Sequence, residues 1–104
     1  MDALTGPRRY RAASCRLRKP HAIPADMRGQ VRELVALQTH APERGNGDAS
    51  ALLRSIASEA DRERVALMVK VEGAAWLPDW YARNGFATVQ AEPVHVMMRV
   101  PHGG

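Results

Sequence analysis

The stretch Pro42-Glu43-Arg44-Gly45-Asn46-Gly47-Asp48-Ala49-Ser50-Ala51-Leu52-Leu53 joins an apolar run to a strongly periodic segment. Its two glycines, two residues apart, allow a tight turn and a close approach of the backbone to a ligand. A helix that opens at once leaves its first N–H groups without intrahelical partners, at the positive end of its dipole. Strand, glycine turn and helix start together predict a phosphate-type anion site, to which Arg44 adds a mobile charge. A turn that binds nothing is the alternative on these residues alone.

The segments on either side of this stretch predict a β-α-β unit. Val31 to Thr39 is interpreted as a strand covered on both faces, because Leu34 to Leu37 is continuously apolar. Asp48 to about Arg62 predicts a helix, and Val65 to Val71 a strand rich in β-branched residues. These two strands are expected to be parallel neighbours joined by a right-handed crossover. The helix has one apolar stripe, formed by Ala49, Leu52, Leu53, Ile56, Ala57 and Ala60.

The C-terminal part predicts a short helix and two more strands. The helix is expected from about Ala75 to Asn84, with a start that Pro78 can delay and with Gly85 at its C-terminal end. The strands, Phe86 to Gln90 and Val94 to Val100, are expected to pair in antiparallel fashion.

Positive charge is concentrated at the N-terminus of this chain of 104 residues. Residues 1–30 hold seven arginines and lysines against two aspartates, whereas residues 31–104 hold eight basic against nine acidic residues. We therefore divide the single small domain into a basic arm (1–30) and a core (31–104). Within the arm, Tyr10 to Leu17 predicts a short strand with Ala13, Cys15 and Leu17 on one face. A solvated arm or an arginine-guarded edge strand is favoured over an arm that contacts nucleic acid.

The single cysteine, Cys15, permits no internal disulfide, and no cysteine–histidine spacing indicates zinc. Both observations are typical of a reducing compartment, so a cytoplasmic location is expected. No apolar run is long enough to predict a membrane span or a signal peptide.

Three segments carry a family resemblance. The string Arg44-x-x-Gly47-x-Ala49, followed by Leu52-Leu53, resembles the Arg/Gln-x-x-Gly-x-Gly/Ala pyrophosphate loop of the GNAT superfamily of acetyl-coenzyme A-dependent N-acetyltransferases. Trp80-Tyr81-Ala82-Arg83-Asn84-Gly85-Phe86 looks like that family's Tyr-x-x-x-Gly-Phe segment, and Val96-Met97-Met98-Arg99 is similar to its last strand. The resemblance covers about residues 31 to 100. It implies an α/β (α+β) fold: a mixed sheet with a central parallel β-α-β unit and a C-terminal antiparallel strand pair, abbreviated at the N-terminus.

The resemblance also implies a reaction. Acetyl-CoA would be the cosubstrate, without a metal. Its acetyl group would pass to a primary amine of a small molecule or a peptide, which attacks the thioester directly. Tyr81 would protonate the departing thiolate, since a phenol has a pKa near that of a thiol; the alternative is a tyrosine that only packs in its helix. A backbone N–H of the first core strand would polarise the thioester carbonyl. The residues implied to bind the coenzyme are Leu37, Gln38, Thr39, Arg44, Gly45, Asn46, Gly47, Asp48, Ala49 and Ser50.

Some positions depart from the family pattern. Asp48 stands where the family usually has an apolar residue, and we expect it to cap the helix instead of facing a ligand. Ala74 stands about where many members carry an asparagine that touches the coenzyme. Glu33 and His40 are the candidates for a general base toward the incoming amine, and both are interpreted as ordinary surface residues.

The chain is also shorter than a full family domain on its N-terminal side. The first core strand then either pairs with the Tyr10–Leu17 segment or remains an open apolar edge, which favours a homodimer. Two alternatives to the acetyltransferase reading remain: a catalytically inactive relative that binds coenzyme A or a protein partner, and a small basic nucleic-acid-binding protein. No membrane partner is expected.

Overall fold

The described part of the protein consists of a mixed sheet of six strands and two helices. The computed structural model describes residues 4–10, 13–19, 31–39, 47–73 and 75–101. The strand order in the sheet is β1-β2-β3-β4-β6-β5. In chain order the elements are β1 (Gly6–Tyr10), β2 (Ala13–Arg18), β3 (Val31–Thr39), α1 (Asp48–Glu63), β4 (Ala66–Val71), α2 (Leu77–Arg83), β5 (Ala87–Gln90) and β6 (His95–Arg99).

The predicted β-α-β unit is confirmed. β3 and β4 are parallel neighbours, and α1 connects them. The predicted stripe of α1 forms its buried side, because the helical repeat brings apolar residues to one face of the helix. Arg64 ends the helix in a left-handed conformation, and its N–H points back to the carbonyl of Ala60. The buried members of the stripe are Leu52, Leu53, Ile56, Ala57 and Ala60.

The N-terminal segment forms two strands where one was predicted. β1 and β2 are antiparallel, with Tyr10 opposite Ala13. The predicted alternation holds within β2, since Ala13, Cys15 and Leu17 are buried. β2 also pairs with β3 in antiparallel fashion. The edge of β3 is therefore covered within the chain, and the open edge from which a homodimer was expected does not exist at this strand.

The C-terminal elements follow the predicted order with shorter bounds. Pro78 lies in the first turn of α2, where proline is tolerated, and the helix begins at Leu77. Gly85 follows α2 with φ 93°, a conformation that favours glycine. β5 and β6 form the predicted antiparallel pair, and β6 also pairs with β4. Among the described residues, no helix combines the length and the apolar character needed to cross a membrane.

The two faces of the sheet bury different sets of residues. The helix face packs against α1 and α2, and its cluster includes Leu34, Leu67, Val69, Tyr81 and Met97. Side chains alternate along each strand, so the neighbouring positions point to the opposite side, which we call the far face. The far face has a smaller cluster, formed by Val31, Ala66, Met68, Val96 and Met98.

Candidate functional site

The parallel strands β3 and β4 separate soon after they meet. They pair at Val31–Ala66, Arg32–Leu67 and Glu33–Met68. Beyond these positions β3 continues beside β2 to Thr39, while β4 continues beside β6 to Val71. A gap therefore opens between the carboxyl ends of two parallel strands, which is where ligands bind in α/β sheets.

A β-bulge in β3 lies beside this gap. Ser14 pairs with Gln38 and Arg16 with Val35, so three steps along β3 match two steps along β2. Ala36, within the extra length, has φ 56° and is exposed. A bulge leaves its extra residue out of the regular ladder and redirects the strand. The bulge thus lies between Val35 and Gln38 and overlaps the start of the segment, Leu37 to Thr39, whose backbone the sequence assigns to ligand contacts.

The start of α1 lies at the same end of the sheet, because a crossover helix begins where the preceding parallel strand ends. Gly47 is the residue before the helix, with φ 78° and ψ 12°, and its carbonyl accepts the N–H of Ala51 at 2.9 Å. Because the cap residue is a glycine, it has no side chain that could accept a capping hydrogen bond from the first turn of the helix. Within the described part of the chain, a Cβ at Gly47 would have no heavy atom beyond its chain neighbours within 4 Å, so no described residue packs against this side of the backbone.

The expectation that Asp48 caps α1 is wrong. Gly47 occupies the cap position, and Asp48 is the first residue of the helix. Its side chain is buried. A capping residue needs a non-helical backbone, and glycine takes the left-handed one found here more readily than aspartate. The carboxylate of Asp48 therefore lies within the first turn, where it interacts favourably with the positive end of the helix.

Tyr81 projects from α2 into the helix-face cluster and is only 7% exposed. Its ring packs edge-on against Trp80 (centroids 5.0 Å apart) and against Phe86 (5.4 Å apart). Burial, and secondly the nearby Cys15, raise the pKa of the Tyr81 phenol above its usual value of 10.0. The hydroxyl therefore keeps its proton at neutral pH, the state that a general acid requires.

Cys15 is a neighbour of Tyr81 that sequence reasoning missed. It lies on β2 opposite the bulge of β3, and its side chain is 3% exposed. Burial raises the pKa of the Cys15 thiol to about 11, against the opposing effect of Arg8. Both residues belong to the buried cluster of the helix face, so the Tyr81 phenol and the Cys15 thiol lie on the same face of the sheet. Sixty-six positions separate these residues in the sequence, and no local pattern links them.

Glu33 is the other residue that the sequence placed wrongly. It was interpreted as a surface residue, yet its side chain is only 2% exposed. Arg18 Nε lies 3.2 Å from Glu33 Oε1, and Lys70 Nζ lies 4.0 Å from Glu33 Oε2. A buried carboxylate is tolerated when cations and hydrogen bonds compensate for its lost hydration. The apolar run that follows Glu33 indicated a buried strand, but it gave no sign of the two cations that pair with the Glu33 carboxylate.

Part of the predicted site lies outside the described residues. Arg44, Gly45 and Asn46 belong to this part, as do His40 and Ala74. For two further candidates, Gln38 and Thr39, the strand is described but the side chains are not. The remaining predicted residues lie on β3, at the start of α1 or on α2: Leu37, Gly47, Asp48, Ala49, Ser50 and Tyr81.

Comparison with known proteins gives different results for the sequence and for the fold. No protein-family model and no curated protein matches the sequence. Solved structures do match the fold. One is an acetyltransferase of the GNAT family from Staphylococcus aureus, with a TM-score of 0.65 and 10% identity over 88% of this chain and 60% of that one. Another is the PaiA N-acetyltransferase from Thermoplasma acidophilum in complex with coenzyme A, with a TM-score of 0.64 and 13% identity over 86% and 53% of the two chains.

The same fold recurs in a eukaryotic structure, Naa50 from Arabidopsis thaliana in complex with the bisubstrate analogue CoA-Ac-MVNAL. Its TM-score is 0.61, with 20% identity over 85% of this chain and 64% of that one. The chain has the GNAT fold. The predicted resemblance is thus confirmed at the level of structure, with β3, α1 and β4 as the central unit of the GNAT fold.

The chain spans about 60% of the length of the first GNAT structures that it matches. Its own N-terminal contribution to the sheet is the antiparallel pair β1 and β2. In this GNAT sheet β2 therefore lies directly beside the strand that borders the gap, and it places Cys15, Arg16 and Arg18 next to the candidate site.

Proposed function

We propose that the protein is an acetyl-CoA-dependent N-acetyltransferase that transfers an acetyl group to a primary amine. The observation that carries the proposal is the gap between β3 and β4, with the start of α1 at its open end and the protonated Tyr81 phenol in the helix-face cluster of the same sheet. Structures of the same fold that contain coenzyme A or an analogue support it.

The proposed coenzyme site has two parts. The pyrophosphate would lie at the turn into α1, where no described residue packs against Gly47 and the first N–H groups of a helix lack intrahelical partners. The pantetheine arm would lie in the gap along β3, where the bulge interrupts the regular pairing. The residues proposed for these contacts are Leu37, Gln38, Thr39, Arg44, Gly45, Asn46, Gly47, Asp48, Ala49 and Ser50.

The protein would contribute two groups to the chemistry. Acetyl-CoA supplies an activated acyl group, to which a neutral amine adds directly. A backbone N–H of β3 near the bulge would hold the carbonyl oxygen as negative charge develops on it. The Tyr81 phenol would give its proton to the departing sulfur, and the proton released by the amine would pass to water.

The substitution Tyr81→Phe tests the acid role. It removes the hydroxyl and keeps the aromatic packing, so turnover is expected to fall about 100-fold, the usual contribution of a general acid. The affinity for coenzyme A, measured by calorimetry, is expected to stay constant. Tyr10→Phe on β1 is the matched control, since it makes the same change in the other tyrosine of the chain. Unchanged turnover in Tyr81→Phe would exclude the role.

Coenzyme binding is tested separately from turnover. Titration with coenzyme A is expected to shift the amide resonances of Gly47 to Ser50, and Arg44→Gln is expected to weaken binding. Arg54→Gln is the matched control, because Arg54 is exposed along α1 beyond its first turn. Amide resonances that do not respond to saturating coenzyme A would contradict the proposal.

One observation favours the second candidate, a non-catalytic relative of the same fold. The buried Asp48 carboxylate lies in the first turn of α1 and reduces the positive potential that a pyrophosphate needs. A thiol-release assay over a panel of amines separates the two candidates. Coenzyme binding without thiol release would favour the non-catalytic one.

We further infer a homodimer in the cytoplasm, through a different edge from the one that the sequence suggested. β2 covers β3, and β1 is an edge that Pro7, Arg8 and Arg9 protect against pairing. β5 is the opposite edge of the sheet, and its four residues are all exposed. Light scattering at micromolar concentration is expected to give the mass of a dimer, and a monomer would contradict this inference.

A further inference from the structure

The far face of the sheet carries a charged cluster that the proposed coenzyme chemistry does not use. Glu33 lies at its centre, buried, between the cations Arg18 and Lys70. The two cations differ from Glu33 in exposure, since 47% of the Arg18 side chain and 48% of the Lys70 side chain are exposed, against 2% for Glu33. Each cation therefore contacts Glu33 with part of its charged group and presents the rest to solvent.

The cluster lies where the gap begins. Arg18 is opposite Glu33, and Glu33 is opposite Met68, which is the last position at which β3 and β4 pair. Lys70 follows Met68 by two residues and so lies on the same face, beyond the point of separation. The contact between Lys70 and Glu33 thus extends from one side of the gap to the other on the far face.

Among the far-face residues of β2, β3 and β4 at this place, positive charge exceeds negative charge. Arg16 is the next residue on the same face of β2; it is exposed and lies opposite Val35, beside the gap. Arg16, Arg18 and Lys70 together carry three positive charges, and Glu33 compensates one of them. A guanidinium has five N–H donors and an ammonium has three, so the cations can bind an anion while they hold Glu33.

The two faces border the gap with side chains of different polarity. On the helix face, Tyr81, Cys15 and Leu34 belong to one buried apolar cluster. Passage of a charged group through that cluster would require its desolvation without compensation. On the far face the half-exposed Arg18 and Lys70 provide a hydrated, positively charged entrance.

We propose that the acceptor is a small amine that also carries a carboxylate or a phosphate, and that Arg16, Arg18 and Lys70 bind this anion at the far-face entrance of the gap. The amine of the same molecule then points into the gap, toward the carbonyl that it attacks. This inference rests on the proposed acetyltransferase function, and it adds the substrate class to it.

The first experiment compares pairs of amines that differ in charge. O-phosphoethanolamine is paired with ethanolamine, and 4-aminobutyrate with 4-aminobutyramide, in the thiol-release assay. For at least one pair the anionic amine is expected to show kcat/KM about tenfold higher, which corresponds to one additional charged contact. The two pairs distinguish a phosphate from a carboxylate. Equal kcat/KM within both pairs would overturn the inference and leave the acetyltransferase proposal intact.

The second experiment removes one cation. Arg16→Gln is expected to raise KM for the preferred anionic amine about tenfold, without changing kcat or KM for its neutral partner. Arg16 is chosen because Arg18 and Lys70 also stabilise the buried Glu33. Arg54→Gln, which removes an exposed arginine of α1, is the control and is expected to leave both KM values constant. Equal effects of the two substitutions would overturn the inference.

The third experiment does not depend on turnover. Titration of the full chain with O-phosphoethanolamine and with 4-aminobutyrate is expected to shift the amide resonances of Arg16, Arg18 and Lys70, and the shifts are expected to weaken in Arg16→Gln. Shifts without thiol release would support the anion site while the acetyltransferase proposal fails. Absence of shifts at these three residues for both amines would overturn the inference.

Discussion

The two faces of the sheet hold different polar groups around β2, although each face also holds an ion pair, which on the helix face joins Arg99 of β6 to Asp61 of α1 at 2.8 Å. On the helix face the Tyr81 phenol and the Cys15 thiol are enclosed in an apolar cluster, and burial raises the pKa of both, so that both stay neutral. On the far face a buried carboxylate, Glu33, is held in ion pairs by Arg18 and Lys70. One side of the gap therefore supplies a protonated acid, and the other supplies charge. Since the side chains of a strand alternate, a single strand such as β2 provides Cys15 to one face and Arg16 and Arg18 to the other.

The largest effect is expected from the packing of the helix face. Leu67→Ala removes a fully buried side chain of β4 and is expected to lower the free energy of unfolding by about 2–5 kcal/mol. Val89→Ala, in the exposed edge strand β5, is the control and is expected to cost less than about 1 kcal/mol. Urea denaturation measures both. Similar costs for the two substitutions would contradict the position of the core on the helix face.

The next effect is the alkaline sensitivity of Cys15. The pKa of its thiol rises from 9.0 to about 11 in the folded protein, so folding favours the protonated form. This contribution is complete below pH 9 and is lost as the pH rises through about 11, a loss of about 2–3 kcal/mol. Urea denaturation at a series of pH values is expected to show this decline in the wild type and a smaller one in Cys15→Ala. If the free energy of unfolding fell equally with pH in the two proteins, the raised pKa of the buried Cys15 thiol would be contradicted.

A smaller effect distinguishes the partners of the far-face ion pair. Arg18→Gln leaves the Glu33 carboxylate buried with one cation and is expected to cost about 1–3 kcal/mol of stability. Glu33→Gln leaves two half-exposed cations that water can solvate, so its cost is expected to stay below about 1 kcal/mol. Thermal denaturation of both variants gives the comparison. A larger loss of stability in Glu33→Gln than in Arg18→Gln would contradict the view that the buried carboxylate, and not the cations, depends on the ion pair.

The smallest effect concerns Asp48 at the start of α1. Asp48→Asn removes a negative charge from the first turn with little change of shape, and it is expected to strengthen coenzyme A binding about two- to fivefold. Calorimetry measures the affinity, and thermal denaturation checks that the variant is folded. Weaker binding by a folded variant would show that the carboxylate assists the coenzyme site.

The sequence predicted the central unit well, because its signals are local. The apolar spacing of α1 and the continuous run of β3 each lie within one segment, and the bounds of β3 were those predicted. The cap of α1 was not predicted, since Gly47 and Asp48 both suit that position and the left-handed backbone decides between them.

The two sides of the gap could not be predicted, because they depend on contacts between distant segments. Glu33 pairs with Arg18, fifteen positions earlier, and with Lys70, thirty-seven positions later. Cys15 and Tyr81 lie in the same helix-face cluster, although they are far apart in the sequence. Such pairings follow from strand order and register. The sequence did not decide whether the N-terminal strand pairs with β3 or leaves its edge unpaired. Once β2 lies beside β3, the alternation of β2 alone assigns Cys15 and Arg18 to their faces.

The left-handed conformation of Ala36 has a mechanical consequence. An alanine with φ 56° costs about 1 kcal/mol relative to an ordinary strand conformation, and neighbouring pairs of β2 and β3 must hold it in place. A glycine would adopt the same geometry without strain, but it would also let the backbone explore many others. The methyl group of Ala36 therefore restricts the backbone of β3 to a narrow range of conformations. The peptide groups beside the gap are thus held in a fixed orientation before a ligand binds.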